Sequence, residues 1–558
     1  MSTPIFALCD EYVTRWAALD PIAAGAEGIV SDFVAATDHS PAGSAARAEL
    51  IRTTLKRLDE LVPTGESDVR AAAHLRERLE AELGWHDMGE PLRWVAAPYG
   101  LPYRVRSSVV LLPHGNDDEW RDVAARLAAI PTMLAGWRES LEVGLASGLR
   151  GARRQALAMA DQADQFAGAG GTPPAHDAFV ATYGEGPVKE ELLSAAAAAH
   201  AAYADAGRYL REEYAPRADE ADAVGPERYA VAARISLGSD IDLREAYEWG
   251  WAELERIGTE MAAEVERIKP GATIEEATEI LNETQAVDSL EEYQAWLQER
   301  HDWAIEQLNG THFDIPEPLR RIVAEVDVSS TSGAASYNSP SEDLSRPGRT
   351  LWPVGGRTRF ATWSELTTIF HEGVPGHHLQ FGAMRMAGDG LSRFAKVSWV
   401  DGHGEGWGLY AERLADELGW FTDPGTRLGM LNWSALRAAR VVIDLGVHLD
   451  LPLPDGSKWT FEKACEVLRD RGRCEPHRVE AEVVRYFGWP AQAIAYKLGE
   501  RAWVQAREEA RLRRGDAFDL RAWHTAAMRQ ADTDDNGGAK LTSAEKKELS
   551  DLRRRTRQ

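Results

Sequence analysis

The segment "DLREAYEWGWAELERIGTEMAAEVERI" (residues 242–268) indicates the fold class of this chain. Its apolar residues recur every three or four positions, which is the period of an amphipathic α-helix. Asp242 is a residue type that caps helix N-termini, and the pair Pro270-Gly271 stands where the helix should end. The segment therefore predicts one long helix with a buried apolar face.

Much of the remaining chain repeats this pattern. Residues 44–62 and 69–83 are rich in Ala, Leu, Glu and Arg at helical spacing. Strand candidates are few, and they are recognised by enrichment in Val, Ile, Thr or Trp: residues 103–113, 321–329 and 348–354. The sequence therefore predicts a mainly α fold with a small β-sheet.

The length of 558 residues exceeds what one small core accommodates, so we expect a large, helical, two-lobed body. The composition changes at "RISLGSD" (234–240), just before the long helix. The predicted division is a helical N-terminal part with a few short strands, residues 1–237, and a helical catalytic part that carries the motifs, residues 238–558.

Charge and cysteine content limit the partners and the compartment. The net charge of −26 speaks against binding to nucleic acids or anionic membranes. Only three cysteines occur, without a CxxC pair, which fits a reducing compartment. The start "MSTPIFALCDEYVTRW" lacks the basic and apolar regions of a secretory signal, and no run of about 18 apolar residues exists. We expect a cytoplasmic protein with no nucleic-acid or membrane partner.

The segment "DTDDNGGAKLTSAEKKE" (532–548) partly matches a calcium-binding loop. Four residues fit positions 1, 3, 5 and 6 of such a loop: Asp532, Asp534, Asn536 and Gly537. Position 12 is Ser543, where a bidentate Glu is required. We therefore predict a solvated loop before the last helix rather than a calcium site.

The stretch "FHEGVPGHHLQ" (370–380) is the strongest candidate for metal chemistry. In a zinc-peptidase helix, two His at i and i+4 share one face, and the Glu after the first His is the general base. His371 and Glu372 fit, but the next histidines, His377 and His378, stand at i+6 and i+7. On a regular helix, i+7 lies about 10.5 Å along the axis, too far for two zinc bonds of about 2 Å each.

Pro375 and Gly376 interrupt the helix at this point. Pro375 has no N–H for the carbonyl of His371, and Gly376 tolerates backbone conformations that other residues avoid. A two-residue bulge would bring His377 to the place that i+4 normally occupies, and helix bulges often lie at functional sites. The alternative is a helix that ends at Pro-Gly, with two surface histidines beyond it.

A third ligand is expected in "WVDGHGEGWGLYAERLADELGW" (399–420), which we predict to be helical from about Glu405. Two His plus one Glu is a common catalytic zinc set that leaves a position open for water. Four glycines allow close helix packing here: Gly402, Gly404, Gly406 and Gly408. The alternatives are His403 or Glu412 as the ligand, or Glu405 as a solvated acid at a helix start.

Three other side chains are candidates for contacts with a substrate. Tyr496 lies on a helix that we predict to begin at Pro490, and its hydroxyl suits donation to an oxyanion, although a core position fits equally. Arg485 suits a substrate carboxylate, or else a surface salt bridge. His448 stands four residues after Asp444 in an apolar setting, so it belongs either to a site wall or to a buried hydrogen bond.

In these motifs the chain resembles a large bacterial family catalogued as a domain of unknown function, which is grouped with the gluzincin-type zinc metallopeptidases. The resemblance rests on "SRPGRTLWPV" (345–354), "ELTTIFHEGVPGHHLQ" (365–380), "GEGWGLYAE" (404–412), "VVIDLGVH" (441–448) and "RYFGWPAQAIAYKLG" (485–499). The His-Glu-x-x-Pro-Gly-His-His run is the specific element, and the others follow in the family's order.

The resemblance implies a mostly helical fold with a deep central cleft and one zinc ion per chain. The implied ligands are His371, His377 and Glu405, with Glu372 as general base. His378 remains open as an alternative to His377 because the motif departs from the ordinary spacing. The resemblance also implies that the segment 345–354 is an edge strand to which a peptide can add.

The expected activity is zinc-dependent hydrolysis of short peptides. Glu372 would activate a water, and Tyr496 would stabilise the oxyanion, with His448 or His378 as a second donor and Arg485 as a substrate contact. The alternatives are hydrolysis of a non-peptide amide or ester, and a non-catalytic binding protein that keeps a metal for structure. A structural site would be closed by four protein ligands, whereas a catalytic site keeps an open position.

Overall fold

The computed structural model of the protein describes residues 3–29, 34–328, 334–341 and 344–528. Helices make up 67% of the structure and strands 4%, which confirms the mainly α fold. Within the described ranges, no helix is both long enough and apolar enough to cross a membrane. The segment 532–548, predicted to be a solvated loop, lies outside the described residues.

The elements are numbered in chain order. The α-helices are α1 (Pro4–Leu19), α2 (Pro21–Ala26), α3 (Pro41–Asp59), α4 (Glu66–Asp87), α5 (Leu101–Val110), α6 (Asp117–Ala146), α7 (Arg153–Phe166), α8 (Asp177–Ala181), α9 (Lys189–Tyr209), α10 (Pro226–Leu237), α11 (Leu243–Ile268), α12 (Ile274–Thr284), α13 (Leu290–Leu308), α14 (Leu366–Glu372), α15 (His377–Met386), α16 (Arg393–Val397), α17 (Asp401–Glu417), α18 (Pro424–His448), α19 (Phe461–Asp470), α20 (Val479–Gly488), α21 (Ala495–Arg514) and α22 (Leu520–Met528). The strands are β1 (Ala286–Val287), β2 (Ile322–Asp327), β3 (Ser336–Asn338), β4 (Gly348–Pro353) and β5 (Phe360–Ala361).

Side-chain caps fix the starts of the two long helices at the centre of the C-terminal part. The Asp242 carboxylate accepts hydrogen bonds from two backbone N–H groups in the first turn of α11, as the sequence predicts. Asp423 caps α18 in the same way, and Pro424 occupies its first helical position. The two helices pack closely because Gly250 faces Val441 and Val442 of α18, where a Cβ would lie 2.9 Å from both side chains.

The buried apolar side chains of the described residues fall into three groups. The largest surrounds α18 and extends from Tyr229 to Ala527. A second lies among the helices between Val95 and Ala215, and a small third joins α1, α3 and α4 to Phe394 of α16. Helix α10 shares the largest core through Tyr229, although the predicted division at residue 237 assigns it to the N-terminal part.

The small sheet has the order β2-β4-β3, with β2 parallel and β3 antiparallel to β4. Strands β2 and β4 agree with the segments predicted at 321–329 and 348–354. The expectation of an edge strand at 345–354 is wrong, because β4 is hydrogen-bonded on both sides.

The predicted strand at 103–113 is also wrong, because most of this segment lies in helix α5. Val105 and Val109 are one helical turn apart, and both are fully buried. A helix places positions i and i+4 on one face, so this segment buries its valines without forming a strand.

Candidate metal centre

The Pro-Gly pair separates two helices rather than forming a bulge within one. Helix α14 ends at Glu372, and α15 begins at His377. The Gly376 N–H donates to the carbonyl of Phe370 (3.0 Å), which turns the chain sharply between the helices. A Cβ on Gly376 would overlap the carbonyl oxygen of His371, so the turn requires glycine at this position. The turn brings the His377 ring to 4.8 Å from the His371 ring, centroid to centroid.

His371, His377 and Glu405 form the candidate metal centre. One potential ligand atom from each lies within 4.8 Å of the other two. Glu405 Oε2 lies 3.3 Å from His371 Nε2 and 3.8 Å from His377 Nε2. Tetrahedral zinc with bonds of about 2.0–2.1 Å separates its ligand atoms by about 3.4 Å, so this donor set suits the ion in both chemistry and spacing. In the part of the chain that the structure describes, no other group of three His, Cys, Asp or Glu side chains meets in this way.

Glu412 holds the His371 ring in place from the opposite side. Its Oε1 lies 2.8 Å from His371 Nδ1, and its Oε2 accepts a hydrogen bond from the Thr367 hydroxyl (2.6 Å). The Arg437 guanidinium lies 3.4 Å from the same carboxylate. With the Nδ1–H donated to Glu412, the Nε2 lone pair of a neutral His371 points toward Glu405, which is the arrangement of carboxylate-supported metal ligands.

Gln380 has the corresponding role for His377. The His377 Nδ1 lies 3.3 Å from Gln380 Oε1, which directs Nε2 toward Glu405. The Gln380 amide nitrogen in turn lies 3.2 Å from His403 Nδ1. His403, a rival third ligand in the sequence, therefore contacts the amide that supports a ligand.

His378 does not reach the candidate metal centre. It is fully buried, its Nε2 donates to the carbonyl of Leu319 (2.9 Å), and its Nδ1 accepts from the Tyr337 hydroxyl (3.0 Å). Tyr337 belongs to β3, so His378 attaches α15 to the small sheet. The geometry favours His377 over His378 as the second ligand, and it leaves His378 no free ring nitrogen for a substrate.

Negative charge accumulates at the centre. Burial raises the pKa of Glu372, which has no hydrogen-bond partner among the described residues. Burial opposes protonation of His371, but hydrogen bonds to Glu405 and Glu412 outweigh it and raise the pKa of His371 to about 10. Three carboxylates therefore lie with two imidazoles and one guanidinium, Arg437, and a divalent cation that displaces the proton of His371 would balance their charge.

Tyr496 lies near Glu405 at the start of α21, which begins at Ala495 rather than at Pro490. Burial raises the pKa of the half-buried Tyr496 phenol, and the Glu405 carboxylate adds to this effect. Its hydroxyl has no hydrogen-bond partner among the described residues, and the Arg440 guanidinium lies 4.9 Å from its ring centroid. The hydroxyl is thus protonated at neutral pH and available as a donor beside the metal ligands.

Arg485 and His448 both make buried contacts within the protein. The Arg485 guanidinium donates to Gln492 Oε1 (2.6 Å) and Glu482 Oε2 (3.0 Å). His448 is buried, and its Nε2 donates to the carbonyl of Tyr486 (3.0 Å). Both side chains thus have partners within the protein, and a substrate contact by either stays a prediction.

Glycines bring α17 close enough to α14 for these contacts. A Cβ on Gly408 would overlap the His371 ring, so only glycine admits that ring against α17. On another side, Gly406 faces Gly499 of α21, where a Cβ would again overlap the backbone. The expectation of close packing at the glycine-rich segment is met at these two positions. Helix α17 begins at Asp401, one turn earlier than predicted.

Residues 21–531 match the family model described as "Bacterial protein of unknown function (DUF885)". The chain belongs to this family. The predicted resemblance to a bacterial family of unknown function is thereby confirmed, over more of the chain than the motifs alone cover. No curated protein matches the chain.

Two solved structures have the same fold as this DUF885 protein. One is described as a "putative lipoprotein from Colwellia psychrerythraea", with 19% identity, a TM-score of 0.79, and coverage of 95% of this chain and 96% of that chain. The other is described as a "putative lipoprotein of unknown function from Shewanella oneidensis", with 17% identity, a TM-score of 0.72, and coverage of 94% and 99%. At this level of identity the likeness concerns the fold alone.

Two features of the DUF885 centre escape a reading by motif. By residue type alone Glu412 suggests a rival ligand, although it follows Glu405 by seven residues and Thr367 precedes His371 by four. Each spacing places its two residues on one helix face, so the sequence does carry a signal for the contact between Glu412 and the His371 helix. Trp399, whose ring centroid lies 6.3 Å from that of His377, carries no such signal.

Proposed function

We propose that this protein is a zinc-dependent hydrolase, related to gluzincin-type metallopeptidases, that cleaves short peptides. The observation that carries the proposal is the convergence of His371, His377 and Glu405, with their potential ligand atoms within 4.8 Å of one another. Two His and one Glu are a catalytic zinc set, because they leave a coordination position for water or substrate. A structural site would call for a fourth protein ligand, and none joins the group among the described residues.

A bound zinc ion would supply Lewis acidity, which polarises a carbonyl and lowers the pKa of water. Glu372 would accept the proton of the attacking water, a role supported by its position directly after His371 and by a carboxylate free of hydrogen bonds within the described residues. It then passes that proton to the leaving amine. The raised pKa that burial gives Glu372 suits both steps.

Tyr496 would donate its hydroxyl hydrogen bond to the oxyanion that develops on the scissile carbonyl. Glu412 and Gln380 contact the Nδ1 atoms of the two imidazoles, which leaves each Nε2 for ligation. These residues account for a base, an oxyanion donor and oriented ligands, which together form a hydrolytic site.

The proposal is tested by metal analysis and peptide digestion. Purified protein should contain about one zinc per chain and should cleave members of a short-peptide library, with activity lost to a chelator and restored by zinc. The Glu372→Gln variant should keep the zinc and lose the cleavage. A variant that cleaves as fast as the parent would refute the role of Glu372, and zinc-free protein after growth with added zinc would refute the metal site.

A further inference from the structure

A cavity of about 420 Å³ lies between helices of the N-terminal part and the segment that leads from α16 to Trp399. Its walls come from α1 and α4 on one side and from α10 and α16 on the other. Its size falls in the range of about 300–1,000 Å³ that is usual for small-molecule pockets.

Trp399 is close both to this cavity and to a candidate metal ligand. Its side chain lines the cavity and is 39% exposed, which is unusual for so large an apolar group next to a buried site. Its ring stacks on Phe381 (centroids 5.4 Å apart, interplanar angle 4°) and lies 6.3 Å from the His377 ring. A Cβ on Gly404 would overlap the same ring, so Trp399 lies directly on the turn that precedes Glu405.

Three of the four charged side chains in the lining are paired within the protein. Arg78 donates to the carbonyls of Ile235 (2.7 Å) and Arg234 (2.9 Å). Asp20 accepts hydrogen bonds from the Thr37 hydroxyl and a backbone N–H at the start of α2. Glu82 is hydrogen-bonded to the Tyr12 hydroxyl.

Aromatic rings supply most of the remaining lining. Seven aromatic side chains border the cavity, among them Trp16 of α1, Trp85 of α4 and Trp489 before α21. Rings of this kind bind large apolar groups, most favourably other aromatic groups, through edge-to-face and stacked contacts. The fourth charged residue of the lining, Glu27, is exposed.

We infer that this cavity is a substrate subsite for a large apolar side chain, preferably aromatic, that extends from the scissile bond past Trp399. The inference rests on the proposed function for its link to catalysis. It assigns to the N-terminal helices α1 and α4 a role in selecting substrates.

Two opposite substitutions test the subsite. Trp16→Ala removes a ring from the α1 wall of the cavity, and Ala23→Phe fills the cavity from α2. For cleavable peptides that differ only in Phe or Ala beside the scissile bond, the parent should prefer Phe, and each variant should reduce the ratio of kcat/KM values by about 10-fold or more. Trp249→Ala removes a half-buried indole outside the cavity and should leave the ratio unchanged. A preference that survives both Trp16→Ala and Ala23→Phe would overturn the subsite while leaving the hydrolase proposal intact.

A binding measurement separates the subsite from the activity. Dansyl-phenylalanine amide should bind the full-length Glu372→Gln protein, and Ala23→Phe in the same background should weaken this binding by about 10-fold or more. Thermal unfolding of each variant identifies those that fail to fold. If Trp16→Ala does not fold, Trp16→Phe replaces it, with a smaller expected reduction of the Phe preference. Binding without any peptide cleavage would keep the subsite and refute the peptidase, whereas absent binding, or binding unaffected by Ala23→Phe, would refute the subsite.

Discussion

The Nδ1 of His371 lies 2.8 Å from Oε1 of Glu412, two helical turns beyond the candidate ligand Glu405 on the same helix. The contact fixes the tautomer of the imidazole, since a ring that donates from Nδ1 presents the Nε2 lone pair to a metal. Glu412 also receives the Thr367 hydroxyl and faces Arg437, so its own position is determined by two further helices.

Replacing Glu412 by Gln should weaken zinc binding by about 10–100-fold without removing a ligand, because the ring loses its charged orienting partner. Competition with a zinc indicator measures the affinity. Glu417→Gln is the matched control, since it changes an exposed carboxylate on the same helix that pairs with Arg507 instead. Equal zinc affinity in the parent and the Glu412 variant would show that the contact has no role in metal binding.

Substitutions of the two adjacent histidines, His377 and His378, should have different effects on zinc binding and on stability. His377→Ala should abolish zinc binding, because its Nε2 faces Glu405. His378→Ala should retain zinc but destabilise the fold by about 1–3 kcal/mol, since the Leu319 carbonyl and the Tyr337 hydroxyl lose their buried partner. Zinc content and urea unfolding test both statements, and the reverse pattern would reassign the ligand to His378.

Tyr496→Phe should lower kcat by about 10²–10³ with little change in KM, because a donor to the oxyanion acts only in the transition state. It should leave the stability nearly unchanged, since the hydroxyl has no hydrogen-bond partner in the described structure. Tyr486→Phe is the contrasting variant. Its hydroxyl bonds Glu482 (2.6 Å) and Arg440 (3.0 Å), so its loss should lower stability. A change confined to KM in Tyr496→Phe would move this residue to the binding wall.

Acid should destabilise the protein partly through His524. Burial lowers the pKa of His524 to about 4, whereas an unfolded histidine has a pKa of about 6.5. The unfolded state therefore binds the proton first, and the contribution of this residue to stability is lost as the pH falls from about 6.5 to about 4.

His524→Gln should accordingly be less stable than the parent at pH 7, because it loses the stacking on Phe313, with a smaller difference at pH 4.5. Urea unfolding at the two pH values measures this, and the exposed His477→Gln should give the same difference from the parent at both. If the difference in unfolding free energy between the parent and His524→Gln is the same at both pH values, the assignment of a neutral buried imidazole is contradicted.

Local signals account for much of the fold. The cap at Asp242 and the apolar period place α11 within a residue of its observed start, because both act within the helix itself. The segment 103–113 is predicted to be a strand but forms a helix, because its apolar run suits either structure. The packing of α5 on α6 decides that Val105 and Val109 share a helical face. This contact is tertiary, and the local sequence carries no signal for it.

The site divides in a similar way. Spacing was sufficient to bring His371, Glu372 and Glu405 into one hypothesis, because the chemistry of zinc restricts the residue types. Which of Glu405 and Glu412 is the ligand and which orients the His371 ring depends on how closely α17 approaches α14. Trp399 reaches the His377 ring through stacking on Phe381, a tertiary contact that no sequence period records.

The approach of α17 to α14 is itself testable at Gly408. A Cβ at this position would overlap the His371 ring, so Gly408→Ala should displace the imidazole, weaken zinc binding and lower activity. Gly258→Ala is a matched control within a helix, because a Cβ there meets no atom within 4 Å. It should keep the metal and gain about 0.5–1 kcal/mol of stability, since alanine loses less backbone freedom on folding than glycine does. Zinc titration and thermal unfolding of the two variants distinguish a local effect on the ligand from a general helix effect. If Gly408→Ala binds zinc as tightly as the parent, the close contact between His371 and α17 is not required for the metal centre.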